Sequence, residues 1–260
     1  MDKLPALAAL LIASASASFA FVAGSQLAGL RAEVDNLRAQ VDTPPAASRP
    51  NVSTDFNGSI DSPTIGSGAY VDPKASVIGA VNIESGVYVG PMASIRGDEG
   101  QPIHLGANCN VQDGVVIHAL ETESHGEPVD GRTYEVHGRD YAVYVGERVS
   151  LAHQALVHGP AAIGDDTFVG MQALVFKARV GRGAVIEPGA VVLGVTVADG
   201  RYVPAGAVIN TQAEADALPQ IDDAYPFRAL NAAVVHVNTS FADAYQTEPV
   251  EHGEMASAHH

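Results

Sequence analysis

The residues of this chain best suited to metal chemistry are three histidines, His118, His153 and His158. Three imidazole ligands and one open coordination position are typical of zinc sites that carry out hydrolysis or hydration. The spacing of His153 and His158, with four residues between them, does not define such a site by itself. Whether the three side chains can share an ion therefore depends on the elements that position them.

A six-residue repeat organises the middle of the chain. An aliphatic residue recurs at every sixth position, and glycine often follows it, as in Val89-Gly90 and Ile163-Gly164. This period fits neither an α-helix nor an alternating strand, but it fits a triangular coil of three hexapeptides. The repeat predicts an all-β fold, a parallel β-helix with the aliphatic side chains inside. These interior positions are Ile65, Val71, Val77, Ile83, Val89, Ile95, Leu105, Val111, Ile117, Val145, Leu151, Val157, Ile163, Val169, Val175, Val180, Ile186, Val192, Val197, Val203 and Ile209.

The extent of the repeat sets the expected domain boundaries. We expect the β-helix over residues 64–211, interrupted by an acidic loop at 119–144. A C-terminal helical segment should follow at 212–247, with a helix that begins at Pro226 and packs its apolar stripe along one side of the prism. The polar tail, 248–260, is expected to be disordered.

Two further segments precede the repeat. Residues 1–23 carry a lysine near the start and then apolar and small residues, which is typical of a secretory signal peptide or a membrane anchor. Either alternative predicts an extracytoplasmic protein, periplasmic or secreted, with membrane contact only if the segment is uncleaved. Residues 24–63 should form a short helical segment and a flexible linker. Apolar spacing within 27–41 fits an amphipathic linker helix or a trimeric coiled coil equally well.

Composition excludes some functions. The chain carries a formal net charge of −16 with only 14 Lys and Arg residues, and an acidic surface repels phosphate backbones. We therefore expect no nucleic-acid partner. The single cysteine, Cys109, excludes an internal disulfide framework and is expected to be a small buried hydrophobe.

The register of the repeat relates the histidines to one another. If the prism sides are numbered from Ile65, then Arg96, His118 and His158 each follow an interior residue of side three. They should form one outward column, with the two histidines on adjacent coils. His153 belongs to side two and points away from that column. In a threefold assembly, side two of one subunit can face side three of the next. The register thus predicts a metal site between subunits, with two histidines from one chain and one from its neighbour.

Four segments carry a specific resemblance to a known family. They are residues 90–100, 110–118, 150–154 and 157–160. In these segments the chain resembles the gamma-class carbonic anhydrases, a family of left-handed parallel β-helices built from hexapeptide repeats. The likeness extends over roughly Ile65 to Tyr245 and implies a left-handed coil, a homotrimer with interfacial metal sites, and CO2 and bicarbonate as substrate and product.

The resemblance also implies a reaction and its central residues. Metal-bound hydroxide would hydrate carbon dioxide reversibly, giving bicarbonate and a proton. His118, His153 and His158 correspond to the metal ligands, with Zn2+ expected and Fe2+ or Co2+ as alternatives. Glu99 corresponds to the glutamate near the metal-bound water, and Glu121 to the glutamate that shuttles the proton.

Further positions match residues around the family's site. Arg96 and Asp98 resemble an ion pair across the subunit interface. Gln112 resembles the residue that hydrogen-bonds the metal-bound hydroxide, and Asp113 is a polar neighbour. The resemblance also suggests that Asn238 lines the substrate pocket, together with Tyr245.

Two other functions share this fold. Hexapeptide acyltransferases act between subunits with one histidine as general base and no three-histidine metal site. A non-catalytic scaffold with this fold would be marked by loss of a ligand or of the acidic loop, and this sequence retains both.

Overall fold

The computed structural model describes residues 29–31, 33 and 47–247. The chain divides into two compact units, Met1–Pro45 and Ala46–His260. The expected signal peptide or anchor, most of the 27–41 helix and the C-terminal tail lie outside the described residues. Among the helices that are described, none has the length and apolar character needed to cross a membrane.

Three parallel sheets form the three faces of a β-solenoid, which confirms the fold class and is consistent with a left-handed coil. Face one contains the strands Thr64–Ile65, Val81–Ile83, Ile103–Leu105, Val143–Val145, Ala161–Ile163, Arg179–Val180 and Thr196–Val197. Face two contains Tyr70–Val71, Tyr88–Val89, Asn110–Val111, Ser150–Leu151, Phe168–Val169, Val185–Ile186 and Tyr202–Val203. Face three contains Ser48–Arg49, Ser76–Gly79, Ser94–Gly97, Val116–His118, Leu156–His158, Leu174–Phe176, Val191–Leu193 and Val208–Ile209.

The repeat forms these strands because each aliphatic residue stacks on its equivalent in the next coil. On face three, Ile95 pairs with Ile117 and Ile117 with Val157, and all three side chains have no exposed surface. Cys109 belongs to the same buried core, and burial raises the pKa of its thiol to about 12. From Val77 onward the interior is therefore a continuous aliphatic column, as the period predicts. Ile65 was expected to be interior but is 39% exposed, because its strand lies at the end of face one and pairs on one side only.

The glycines that follow aliphatic residues permit close approach between coils. A Cβ atom added at Gly106 would lie 2.6 Å from the backbone of Gly146, and one at Gly164 would lie 2.7 Å from the backbone nitrogen of Arg182. Both distances are too short for a real Cβ atom. At these positions glycine is needed because neighbouring backbones nearly touch.

The acidic loop leaves face three after His118 and returns on face one. It contains two antiparallel hairpins, Glu123–Ser124 with Glu127–Pro128, and Tyr134–Val136 with Arg139–Tyr141. The strand Val143–Val145 then pairs with Ile103–Leu105, so the loop ends slightly earlier than expected. Val145 lies on face one, which is the return point on which the histidine register depends.

The residues before the repeat differ from the expected flexible linker. From residue 47 onward they are attached to the prism, and Ser48–Arg49 pairs with Ser76–Gly79 as the first strand of face three. Asn51 is buried and donates from Nδ2 to the carbonyl of Ser59 at 2.9 Å. Strand pairing and an asparagine side chain, and not an aliphatic repeat, therefore order this segment.

Two helices end the described chain. The short helix Gln212–Asp216 begins with a capping box between Thr211 and Glu214. The helix Leu230–Thr247 packs on face two. There the ring of Tyr245 stacks on the ring of Tyr70, with 4.9 Å between the ring centroids.

The longer helix begins later than expected and has two kinds of surface. It starts at Leu230, because Pro226 lies within a turn that precedes it. Leu230 and Val234 pack against a small apolar cluster on the prism. Val237 and Phe241 remain 49% and 46% exposed, so part of the apolar stripe is uncovered in the single chain.

The buried column makes a testable prediction about stability. Val192→Ala should lower the free energy of unfolding by roughly 2 kcal/mol, because two buried methyl groups are lost and a cavity remains. Val192 is fully buried, whereas Val208 on the adjacent strand is 54% exposed. Val208→Ala should therefore cost less than about 0.5 kcal/mol. Urea denaturation of both variants provides the comparison, and equal losses would contradict the burial of every sixth residue.

Candidate metal centre

His118 and His158 lie side by side on face three. Their strands pair in register, with His118 opposite His158, and the ring centroids are 5.4 Å apart. The preceding residues, Ile117 and Val157, point into the core, so both imidazoles project outward. One strand spacing therefore separates two potential metal ligands.

A hydrogen bond of His158 favours the tautomer with the proton on Nδ1, which leaves Nε2 free to bind a metal. Its Nδ1 lies 3.0 Å from the carbonyl oxygen of Gly159, and a carbonyl can only accept. Nδ1 therefore carries the proton, and Nε2 has a free lone pair. Burial lowers the pKa of His158, which further favours the neutral imidazole.

Two carboxylates lie against His118. Oε1 of Glu99 is in direct contact with Nε2 of His118, and Oδ1 of Asp98 lies 3.9 Å from the same nitrogen. Glu99 is only 9% exposed, and burial raises its pKa although contact with His118 opposes that shift. One buried and one partly buried carboxyl group therefore adjoin the histidine pair.

Arg96 balances part of this charge. Its Nε and Nη2 both donate to Oδ2 of Asp98, at 3.2 and 3.1 Å, and Nη2 lies 3.7 Å from Oε1 of Glu99. The resemblance implies an ion pair between subunits for these residues. In this structure Arg96 and Asp98 pair within one chain.

Unsatisfied polar atoms show that these residues fit a divalent cation. Oδ1 of Asp98, Oε2 of Glu99 and Nε2 of His118 are buried and have no hydrogen-bond partner of normal geometry. Buried polar atoms without partners cost free energy, and a metal ion would satisfy them. The three side chains offer ligand atoms that all lie within 4.8 Å of one another.

His153 lies on a different part of the prism, at the turn after the face-two strand Ser150–Leu151. Its Nδ1 is 3.1 Å from Oδ2 of Asp113, and its side chain is 54% exposed. The carboxylate accepts from Nδ1–H and leaves Nε2 free, an arrangement common around histidine ligands of metals. His153 is thus oriented for a ligand that approaches from outside the chain.

A shallow groove beside His153 brings together other expected site residues. Gln112 and Asn238 line it with His153, and the exposed Val237 and Phe241 complete its helical side. Tyr245 does not line this groove, because its ring stacks on Tyr70.

A chain of hydrogen bonds orients Gln112 in this groove. Its Nε2 donates to Oδ1 of Asn110 at 2.8 Å, and Asn110 donates in turn to Oγ of Ser150. These bonds fix the amide and leave Oε1 of Gln112 able to accept a hydrogen bond.

The single chain does not bring all three histidines together. In the described part of the chain, Asp98, Glu99 and His118 form the only cluster of three metal-binding side chains with ligand atoms this close. His153 is outside it. We call the face-three residues around His118 and His158 the first half-site, and the groove around His153 the second half-site.

The acidic loop is fastened to the first half-site by Thr122. The buried Thr122 hydroxyl donates to the carbonyl of Glu99 at 2.8 Å and accepts from the backbone N–H of Gln101 at 2.6 Å. Next to Thr122, Oε1 of Glu121 lies 3.4 Å from Nη2 of Arg132, and the two residues form an ion pair. Neither Thr122 nor Arg132 was identified from the sequence, since no spacing or motif marks contacts between two loops.

The segment before the repeat also reaches the first half-site. Asn57 is 1% exposed and donates from Nδ2 to the carbonyl of Asp98 at 3.1 Å. This contact holds the backbone beside Glu99. It could not have been inferred, because the sequence around Asn57 resembles a linker.

An aromatic cluster on face one supports the second hairpin of the acidic loop. The buried ring of His104 stacks on the ring of Tyr144, with 5.0 Å between their centroids. The centroid of the Tyr141 ring lies 5.7 Å from that of His104. Its Nδ1 is 3.0 Å from the amide nitrogen of Asn82, which donates to it. Burial lowers the pKa of His104, so the ring is held neutral.

Comparison with known proteins provides the family context. The chain is 53% identical over 199 residues to a carbonic anhydrase of Methanosarcina thermophila, which covers 76% of this chain and 81% of that protein. It is 38% identical to the carboxysome assembly protein CcmM of a Nostoc species, over 78% of this chain and 36% of that protein. Gamma carbonic anhydrase 2, a mitochondrial protein of Arabidopsis thaliana, is 31% identical over 56% of this chain and 46% of its own length. No family model matches the chain.

The buried His104 makes a prediction about pH and stability. Its pKa is below the ordinary 6.5 in the folded protein, so the unfolded chain binds more protons in the window below 6.5. The stabilisation is complete above that value and is lost as the pH falls through 6.5 towards the folded-state pKa. In His104→Gln, which cannot be protonated, acidification should lower the urea midpoint less than in the parent.

A matched control separates this effect from general acid sensitivity. His236 is exposed on the C-terminal helix, and His236→Gln should keep the parent's pH dependence. If His104→Gln followed the parent's curve as well, His104 would not be a buried neutral group.

Proposed function

The chain belongs to the gamma-class carbonic anhydrase family, and we propose that it hydrates carbon dioxide at a metal site assembled from two subunits. The reaction is the one named for a relative with 53% identity over most of both chains. The observation that carries the assignment is the alignment of His118 with His158 beside Asp98 and Glu99, each of which has one buried oxygen without a partner.

We propose that His118 and His158 of one chain and His153 of its neighbour hold the metal. The free Nε2 atoms of His158 and His153 support this ligand set, and so does Nε2 of His118, which has only the close contact with Glu99. Three neutral imidazoles suit Zn2+, which is the proposed ion, with Fe2+ or Co2+ as alternatives. A bound divalent cation lowers the pKa of a coordinated water, and this supplies the nucleophile at neutral pH.

The proposed assembly is a homotrimer in which the first half-site of each subunit meets the second half-site of the next. Two features support it. The third histidine of one chain is directed away from the other two, and the helix next to it leaves Val237 and Phe241 nearly half exposed. A cyclic arrangement would cover this apolar surface and complete the ligand set at every interface.

The chain's own residues provide proton transfer and substrate positioning in this proposal. Glu99 is buried in contact with His118 and can take a proton from the reacting water. Glu121 is 40% exposed, so it can pass that proton to buffer. The ion pair of Arg96 with Asp98 adjoins the carboxyl of Glu99, and Gln112 and Asn238 line the second half-site, where carbon dioxide would be positioned.

A non-catalytic scaffold is the second candidate, because the carboxysome assembly protein CcmM of Nostoc is a relative. The histidines, Glu99 and the acidic loop are all present in this chain, and these are the features that a scaffold can lose. They favour the enzyme.

The location of the protein is a separate proposal. Within residues 1–23, an apolar stretch follows Lys3, and this pattern supports an extracytoplasmic site of action. Secretion with cleavage and membrane anchoring remain the two forms of this proposal.

Complementation between inactive variants tests the shared site. His118→Ala lacks a ligand of the first half-site, and His153→Ala lacks the ligand of the second. Each alone should bind no metal and hydrate no carbon dioxide. In mixed trimers one interface joins an intact first half-site to an intact second half-site, so up to roughly a third of the parent activity should return. Stopped-flow hydration and metal content on doubly tagged mixed trimers provide the measurement.

The control mixes His118→Ala with His158→Ala. Both changes damage the first half-site, so no interface regains it and activity should stay absent. If the metal-loaded parent did not hydrate carbon dioxide, the proposed function would be wrong. A fully active parent with no complementation would instead refute the interfacial ligand set.

The contact between Asp113 and His153 gives a second prediction. Asp113→Asn removes the charge that orients the imidazole and keeps the side chain's size, so metal affinity should fall about 10- to 100-fold. Competition with a chromogenic chelator measures this affinity. Asp140 is exposed in the acidic loop, and Asp140→Asn should leave it unchanged. Unaltered affinity in Asp113→Asn would show that His153 needs no such support.

A further inference from the structure

Arg132 is a largely buried guanidinium with unused donors. It lies between the two hairpins of the acidic loop, and its side chain is only 23% exposed. Nη2 lies 3.4 Å from Oε1 of Glu121, whereas Nη1 is buried and has no hydrogen-bond partner. A guanidinium offers five N–H donors in a planar fork, so most of the donor capacity of Arg132 is free.

This guanidinium lies within electrostatic reach of the first half-site. Its partner Glu121 follows His118 by three positions in the chain. The residue after Glu121, Thr122, donates to the carbonyl of Glu99, and the carboxyl of Glu99 contacts His118. The pair of Arg132 and Glu121 is therefore anchored beside the first half-site.

The other cations near this half-site are already engaged. Arg96 directs two nitrogens at Asp98, and Lys177 lies over the ring of Phe176 at 5.5 Å. Within the described residues, Arg132 is the only arginine with a buried nitrogen that lacks a partner. An unpaired buried donor of this kind favours an anionic ligand.

The reaction itself produces an anion where negative charge is concentrated. Hydration converts CO2 and water into bicarbonate and a proton, with no other reactant. The carboxylates of Asp98, Glu99 and Glu121 repel bicarbonate, so a nearby cation would stabilise it before release. Bicarbonate is planar, and two of its oxygens share the negative charge, which matches the arginine fork as a carboxylate does.

We propose that Arg132 is a binding residue for bicarbonate, through the guanidinium edge that Glu121 does not occupy. The inference rests on the proposed function, because bicarbonate is the product of that reaction. It adds a binding role to a loop otherwise assigned to proton transfer. It also predicts that the same loop discriminates between the uncharged substrate and the charged product.

Product inhibition tests this role. In Arg132→Gln, the bicarbonate inhibition constant for CO2 hydration should rise about tenfold or more, since a charged, two-point contact is lost. Arg132→Lys keeps the charge but not the fork, and its inhibition constant should be intermediate. Arg139 lies exposed in the same loop over the ring of Tyr141, and Arg139→Gln should retain the parent's value.

A binding measurement without net turnover complements the kinetics. Calorimetric titration of the metal-loaded protein with a bicarbonate solution already at equilibrium with CO2 gives a dissociation constant for each variant. The dissociation constant should be larger in Arg132→Gln by a similar factor. Metal content and trimer size, measured on the same samples, show whether each variant is folded.

The alternative is that Arg132 acts only by positioning Glu121. In that case Arg132→Gln would slow hydration in weak buffer, strong buffer would restore the rate, and both bicarbonate constants would be unchanged. This result would overturn the inference. A parent that binds metal but does not hydrate CO2 would refute the proposed function, while the calorimetric titration would still decide whether Arg132 binds bicarbonate.

Discussion

The stacking of coils at one strand spacing is the constraint on which the rest of this structure depends. Each residue of a coil lies directly above its equivalent in the coil below, at roughly 4.8 Å. Inside the prism this produces the aliphatic column that contains Ile95, Ile117 and Val157. Outside it, the same constraint places His118 opposite His158. One periodicity therefore builds both the core and the pair of potential ligands, and neither can shift without the other.

The carboxylates of the first half-site are held by polar contacts from outside the repeat. Asn57 binds the carbonyl of Asp98, and Thr122 binds the carbonyl of Glu99. These two side chains come from the segments before and after the relevant coil. They fix the backbone at a point where a buried, raised-pKa carboxyl adjoins His118. The geometry of Glu99 thus depends on two segments that contribute nothing to the aliphatic column.

Electrostatic balance gives the two half-sites different characters. The first contains two carboxylates, two histidines and Arg96, and two of its buried oxygens have no partner. The second contains His153, amide side chains and exposed apolar residues of the C-terminal helix. A cation shared between them would satisfy the first half-site, and the apolar rim of the second would suit an uncharged substrate. This complementarity is consistent with the homology to carbonic anhydrases.

The sequence alone was enough to determine the prism, its buried positions and the alignment of His118 with His158. In a solenoid, contacts follow from register, so a one-dimensional pattern contains most of the three-dimensional information. The resemblance to a family added the roles of Glu99 and Glu121, which no periodicity could supply. Only the tertiary structure revealed the docking of residues 47–63, contrary to the linker expected there, and the ion pair between Arg132 and Glu121. Apart from the pairing of Ser48–Arg49 with the edge of face three, these contacts join irregular segments through single polar interactions. Such interactions depend on how loops fold back onto the prism, and no repeat in the sequence records that path.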